Sequence, residues 1–130
     1  MKRQHGFTVL ELIIAIVFLM IAGTIFFIQK RDLEVAARDS VRKTSINAIY
    51  YNLEDIYYPT NQGYPEHLTS DGLKGLDPTA LKDPSGKAVE TEGSDFSYTP
   101  KDCQDGKCKS YTLTANLENE ADYIKTSRSH

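Results

Sequence analysis

Residues 7–28 form an almost unbroken apolar run, Phe7-Thr8-Val9-Leu10-Glu11-Leu12-Ile13-Ile14-Ala15-Ile16-Val17-Phe18-Leu19-Met20-Ile21-Ala22-Gly23-Thr24-Ile25-Phe26-Phe27-Ile28, with Glu11 as its one charged residue. About 22 residues of helix span about 33 Å, enough to cross the hydrocarbon core of a bilayer. A secretory signal would be cut after its apolar part at a small-x-small site. Here Ile28 leads directly into Gln29-Lys30-Arg31-Asp32, so the segment is expected to stay in the mature chain. In a chain of 130 residues this leaves room for one small soluble domain. That domain is polar and tyrosine-rich, without tryptophan, and has two cysteines available as a staple.

Glu11 is the anomaly. A carboxylate at the centre of a membrane span costs about 2.5–3.5 kcal/mol, and less near the interface. Taken alone, it lies about one turn from the helix start, where it can reach the headgroups and meet the positive end of the helix dipole.

Its surroundings suggest more. A short basic stretch, Met1-Lys2-Arg3-Gln4-His5, precedes Gly6-Phe7-Thr8-Val9-Leu10-Glu11-Leu12. This sequence closely resembles the class III signal of type IV prepilins and pseudopilins. In that family the leader ends in glycine and is cut before a phenylalanine, the new amino group is methylated, and a glutamate is the fifth residue of the processed chain. By resemblance, Gly6 ends the leader, Phe7 becomes the methylated amino terminus, and Glu11 is the assembly glutamate. An ammonium on Phe7 and the Glu11 carboxylate stand at i, i+4 and can pair within one chain or between neighbours. A paired charge is far cheaper than an isolated one in a dry helix bundle, and it marks register. Lys30, Arg31 and Arg38 follow the span, so counted charge does not set its orientation, which rests on the resemblance. Many pilins carry a proline near the end of the apolar block. Here Gly23-Thr24 is the one weak point at which the helix could unwind in a filament.

Beyond Ile28 no glycine or proline occurs before Pro59, and a single helix of about 50 residues is expected. Leu33, Ala37, Val41, Ile49, Leu53 and Ile56 form its apolar stripe, widened by Ala36 and Tyr57. Arg38, Asp39, Arg42 and Lys43 are placed on other faces. Pro59 disfavours helix at Tyr58 and should end the element.

From Pro59 to about Glu92, turn signals such as Gly63-Tyr64-Pro65, Asp71-Gly72, Asp77-Pro78 and Asp83-Pro84-Ser85-Gly86 indicate a connecting loop region. A short helical turn is possible over residues 66–73. Asp83-Pro84-Ser85-Gly86 faintly resembles a segment of the major pseudopilins, some of which bind calcium nearby. Asp71, Asp77, Asp83, Glu90, Glu92 and Asp95 offer oxygen ligands without EF-hand spacing. Solvated turn carboxylates are the default reading, and no cofactor is expected.

The last third alternates as strands do: Phe96-Ser97-Tyr98-Thr99-Pro100 and Tyr111-Thr112-Leu113-Thr114-Ala115 flank Cys103-Gln104-Asp105-Gly106-Lys107-Cys108. With Asp105-Gly106 as a two-residue turn, Gln104 faces Lys107, Cys103 faces Cys108, and Pro100, Tyr98 and Phe96 face Tyr111, Leu113 and Ala115. Cys103 and Cys108 then form a cross-strand pair at a non-hydrogen-bonded position, suited to a disulfide outside the cytoplasm. A third strand is expected around Tyr123-Ile124-Lys125-Thr126. Phe96, Tyr98, Tyr111, Leu113 and Leu117 should cover Ile49, Leu53 and Ile56.

The expected fold is therefore α+β and pilin-like, with a leader (1–6), a membrane or filament-core helix (7–28), its amphipathic half (29–58), a connector (59–95) and a sheet (96–130). The formal net charge of −3 disfavours a nucleic-acid module. His5, His67 and His130 are scattered, and no nucleophile elbow, phosphate loop or HExxH motif occurs, so no enzyme is expected. By resemblance the chain is a single-pass inner-membrane precursor that becomes a filament subunit. Its implied partners are other copies of itself, a prepilin peptidase, an assembly platform and an ATPase. The rivals are a pseudopilin of a type II secretion system and an unprocessed single-pass protein whose exposed domain binds a ligand.

Overall fold

The structure is a computed structural model that describes residues 6–129. The expected leader, apart from Gly6, lies outside the described residues, as does His130. The chain divides into two compact units, Met1–Val35 and Ala36–His130. In the first, helix α1 (Val9–Asn52) begins, and residues 6–34 are all exposed. α1 is continuous through Gly23, where the Thr24 hydroxyl donates to the carbonyls of Met20 (2.6 Å) and Ile21 (3.0 Å).

In the second unit α1 buries Ile49 and Leu53 of the expected stripe, but the rest of its inward face differs. Leu33 lies in the first unit, fully outside the core, and Val41 and Ile56 are about half exposed. The buried residues are Asp39, Arg42, Ile46, Ile49 and Leu53, spaced alternately by three and four, with Ser45 and Asn52 beside them. Asp39 and Arg42 were expected on outer faces. They are buried because they neutralise each other and gain further partners, Asp95, Glu118 and Asn119, from the segments that flank the sheet, so the face that carries Ile46 and Ile49 can turn inward. Full burial of Ile46, Ile49 and Leu53 contributes about 1.5–3 kcal/mol each.

The helix also runs further than Pro59 suggested. Leu53–Tyr57 forms a π turn, in which the Tyr58 N–H bonds the Leu53 carbonyl, and α2 (Tyr58–Asn61) follows with Pro59 in its first turn. Proline has no N–H to give, and the first turn of a helix is where that loss costs least. The wider π turn effectively restarts the helix there, so Tyr58 keeps helical dihedrals. Gln62, left-handed at φ 55°, ends the element.

Strand β1 (Tyr64–Pro65), where only a turn was expected, pairs with β3 (Lys107–Ala115) as Tyr64 opposite Cys108. The connector is a series of hydrogen-bonded turns, among them Thr69–Leu73 and Asp83–Gly86, with a 3-10 turn, Pro78–Leu81, capped by Asp77. It sends Leu68, Leu73, Leu81 and Val89 into the core, which its sparse apolar content did not suggest.

β2 (Phe96–Gln104) and β3 pair in the register read from the sequence, including Cys103 opposite Cys108 and Tyr98 opposite Leu113. Asp105 (φ 52°) and Gly106 (φ 75°) make the tight turn. β4 (Tyr123–Thr126) pairs with β3 on its other edge, the edge that β1 also occupies. The fold is thus α+β: one long amino-terminal helix packed against a four-stranded antiparallel sheet.

One irregularity was not anticipated. Strict alternation from Phe96 and Tyr98 would turn Cys103 and Cys108 away from the core, yet Cys108 is buried. Asp102 adopts φ 54°, and the ladder skips the Asp102–Lys109 pair between Lys101–Ser110 and Cys103–Cys108. The facing of the strands changes there, bringing Cys108 back under Tyr64.

Candidate functional site

Gly6, Phe7 and Glu11 come together at the head of α1. The Thr8 hydroxyl accepts from the Glu11 N–H at 3.3 Å, and the Thr8 carbonyl accepts from the Leu12 N–H at 3.1 Å. Thr8 is therefore the N-cap of α1 and Glu11 its third residue, in the T-x-x-E pattern of a capping box. This role of Thr8 was legible in the sequence but was not read from it. A groove along the helix is lined by Phe7, Glu11, Leu12, Ala15, Phe18 and Leu19, so the carboxylate borders apolar surface. Among the described residues, no cation lies within ion-pair distance of Glu11. A helix with this exposed apolar surface is long and apolar enough to cross a membrane.

Cys103 and Cys108 lie in the second unit and form a disulfide, with Cα atoms 3.9 Å apart. It closes the hairpin beside Tyr64, whose ring packs edge-on against Tyr111 at 4.7 Å between centroids.

Two buried polar constellations escaped the sequence reading. Arg42 reaches Asp39 (2.8 Å), Asp95 (2.8 Å) and Glu118 (2.8 Å), and Arg38 forks onto both Glu118 oxygens (2.7 and 2.6 Å). Asp39 also accepts from the N–H groups of Glu118 and Asn119. The start of β2 and the end of β3 are thereby tied to one turn of helix. Hydrogen bonds from Arg38 and then Arg42 hold the Glu118 carboxyl down at about 2. Burial pushes the Asp39 carboxyl up, but the Glu118 and Asn119 N–H groups with Arg42 outweigh it and leave it below its ordinary value. The signal available in the sequence was the three-four spacing of residues 39, 42, 46 and 49.

The second constellation centres on Glu54 in the π turn. Its carboxylate accepts from the hydroxyls of Tyr64 (3.0 and 3.1 Å) and Tyr111 (2.8 Å) and from the Arg128 N–H (3.2 Å). Burial, followed by the bond to Glu54, raises the Tyr64 and Tyr111 phenols well above their ordinary value.

Three of the carboxylates considered for calcium have other partners. Asp83 accepts from the N–H groups of Ser85, Lys87 and Asp95, Asp77 caps the 3-10 turn, and Asp95 pairs with Arg42. Among the described residues, no group of three or more His, Cys, Asp or Glu side chains is arranged to hold a metal ion.

Residues 1–27 match the family described as the prokaryotic N-terminal methylation motif. No curated protein and no solved structure matches the chain. With Gly6, Phe7 and Glu11 inside the matched segment, the chain carries at its amino terminus the class III signal of type IV pilins and pseudopilins.

Proposed function

We propose that the chain is the precursor of a type IV pilin-like structural subunit, cut between Gly6 and Phe7, methylated on the new amino group and polymerised through α1. The observation that carries this reading is the methylation motif over residues 1–27, which contains the start of α1, a helix exposed at every residue from 9 to 34 in the single chain. Such surface needs a bilayer before assembly and neighbouring helices afterwards. Apolar contact with neighbours replaces contact with lipid, so the change needs little net apolar transfer. Extraction must be driven from outside the subunit, by an ATPase acting through a platform protein.

Glu11 is the assembly residue in this scheme. Paired with the Phe7 ammonium of a neighbouring chain, it is neutralised only when helices stack in register, which penalises misplaced subunits. The role is mechanical rather than catalytic. Adhesion, motility, DNA uptake and piston-like secretion all draw on the same subunit chemistry, shared by pilins and pseudopilins.

Mass spectrometry of the native amino terminus tests the reading, using membranes and material sheared from cells. A methylated peptide beginning at Phe7 and enriched in the sheared fraction is the expected result. A chain beginning at Met1 and confined to membranes would overturn it in favour of a plain anchored domain.

A further inference from the structure

The stretch that follows β4 is held to the second unit by polar contacts. Ser127 is partly buried, Arg128 and Ser129 are exposed, and none of the three carries an apolar side chain. The Ser127 N–H bonds the Tyr111 carbonyl at 3.1 Å, and the Tyr111 N–H bonds Ser127 Oγ at 3.4 Å. The backbone groups of Tyr111 therefore face this stretch, and on its other side Tyr111 meets Pro100 as a non-hydrogen-bonded pair. Pro100 has no N–H to give, so the Tyr111 carbonyl relies on Ser127.

Arg128 then straddles the π turn. Its N–H bonds the buried Glu54 carboxylate at 3.2 Å, and its guanidinium bonds Asp55 Oδ1 at 2.8 Å. Successive helical residues point in different directions, and here the backbone of Arg128 serves one carboxylate and its side chain the next. Arg128 Nε also donates to the Tyr50 hydroxyl at 3.3 Å, and the guanidinium lies 5.5 Å from the centre of that ring, which Lys125 of β4 approaches at 5.3 Å. Lifting residues 127–129 away would strand little. Glu54 keeps the Tyr64 and Tyr111 hydroxyls, Asp55 is already exposed, and water can replace the lost N–H donors. A segment that buries no apolar side chain of its own and leaves no lone charge behind is one that opens at low cost.

We propose that residues 127–129 form a strap, buckled by Arg128 across Glu54 and Asp55, which opens as a unit while the core stays folded. Closed, the strap covers one side of the Glu54–Tyr64–Tyr111 cluster and occupies the edge of β3 at Tyr111. Open, it gives water access to the Tyr111 N–H and carbonyl and to one flank of the Glu54 carboxylate. The Arg128–Asp55 pair is about half exposed at both side chains, so it holds the strap without locking it. All of these contacts lie within the second unit, and the proposal does not rest on processing or filament formation.

The test follows amide hydrogen exchange residue by residue in the full chain in detergent micelles. Ser127 and Arg128 should share one protection, about tenfold or more above that of an unstructured peptide and about tenfold or more below that of Ile49, fully buried in α1. Arg128→Ala should speed exchange at Ser127 by about tenfold, and Asp55→Asn by a smaller factor, with Ile49 unchanged in both. Equal protection of Ser127, Arg128 and Ile49 overturns the proposal, because the stretch would then open only with the whole unit. An unprotected Ser127 in the wild-type chain also overturns it, because no closed strap would exist. Wild-type exchange at Ser127 in Arg128→Ala removes the buckle and the proposal with it.

Discussion

The Tyr111 hydroxyl donates a 2.8 Å hydrogen bond to Glu54 across a sequence separation of 57 residues, joining the middle of β3 to the π turn at the end of the long helix. Tyr64 from β1 and the Arg128 N–H from the carboxy-terminal segment complete the cluster. Removing only the hydroxyl, in Tyr111→Phe, leaves a buried carboxylate short of a donor. The expected loss is about 1–3 kcal/mol, read as a lower thermal midpoint. Tyr51→Phe, at an exposed ring, should stay within about 0.5 kcal/mol of wild type. Equal midpoints for the two variants would sink this account of Glu54.

Arg42 holds three carboxylates, and Asp39, the most buried of them, depends on it. Arg42→Met should destabilise the second unit by about 3–5 kcal/mol, because an uncompensated charge stays behind. Adding Asp39→Leu should recover part of that loss, a non-additivity measurable by urea denaturation of the two single variants and the double variant. Strict additivity would show that the two side chains do not act as a pair.

Acid should weaken the same region first. Glu118 titrates at about 2 when folded against 4.5 for an ordinary glutamate, and Asp39 and Asp83 are shifted in the same direction. Groups lowered in this way bind more protons unfolded than folded. Their contribution is therefore complete above about pH 5 and is lost as pH falls towards 2. Unfolding free energies measured from pH 7 down to pH 3 should decline, and Glu118→Gln should flatten the decline. An unchanged slope in that variant would count against the Arg38–Glu118–Arg42 fork.

The disulfide closes a short loop, so replacing both Cys103 and Cys108 by serine should cost about 2 kcal/mol or less. The hairpin should keep its register, since Asp105-Gly106 and the Phe96, Tyr98, Leu113 and Ala115 face specify it independently. Cross-strand nuclear Overhauser contacts between Tyr98 and Leu113 in the variant report this directly.

Glu11→Ala should abolish or delay filament assembly and leave melting of the soluble unit unchanged. Wild-type filament yield from that variant would defeat the assembly role of Glu11.

How much of this could be read in advance depended on the kind of signal. The β2–β3 register was legible because a two-residue turn and a two-residue side-chain period leave a single solution that puts Phe96, Tyr98, Leu113 and Ala115 on one face. The amino-terminal signal was legible because Gly6, Phe7 and Glu11 occur at fixed spacing. The inward face of α1 was read correctly at Ile49 and Leu53 and misread nearer its start, because the sorting ranked residues by apolarity. Asp39 and Arg42 become interior residues only when Asp95 and Glu118 arrive from distant parts of the chain. β1 was missed for a related reason: Tyr64-Pro65 is too short to alternate, and only its seat against Lys107 and Cys108 makes it a strand. Pro100 was a clue that went unused, since a proline in the hydrogen-bonded phase would have wasted a carbonyl on β3. The break at Asp102 resolves that conflict.

The cap at Thr8 has a consequence for the reading of the amino terminus. Helix α1 starts at Val9, and residues 6–8 belong to no helix or strand. Proteolysis inside a helix requires a turn to melt first, because a peptide bond locked in an intrahelical ladder is a poor fit for an extended protease cleft. The Gly6–Phe7 bond carries no such cost. In the proposed processing a peptidase would meet it already unwound, and hydrolysis there would leave the Thr8 cap and every turn after it untouched. If the chain is processed as proposed, the threonine is a stop that separates the segment to be discarded from the helix to be kept.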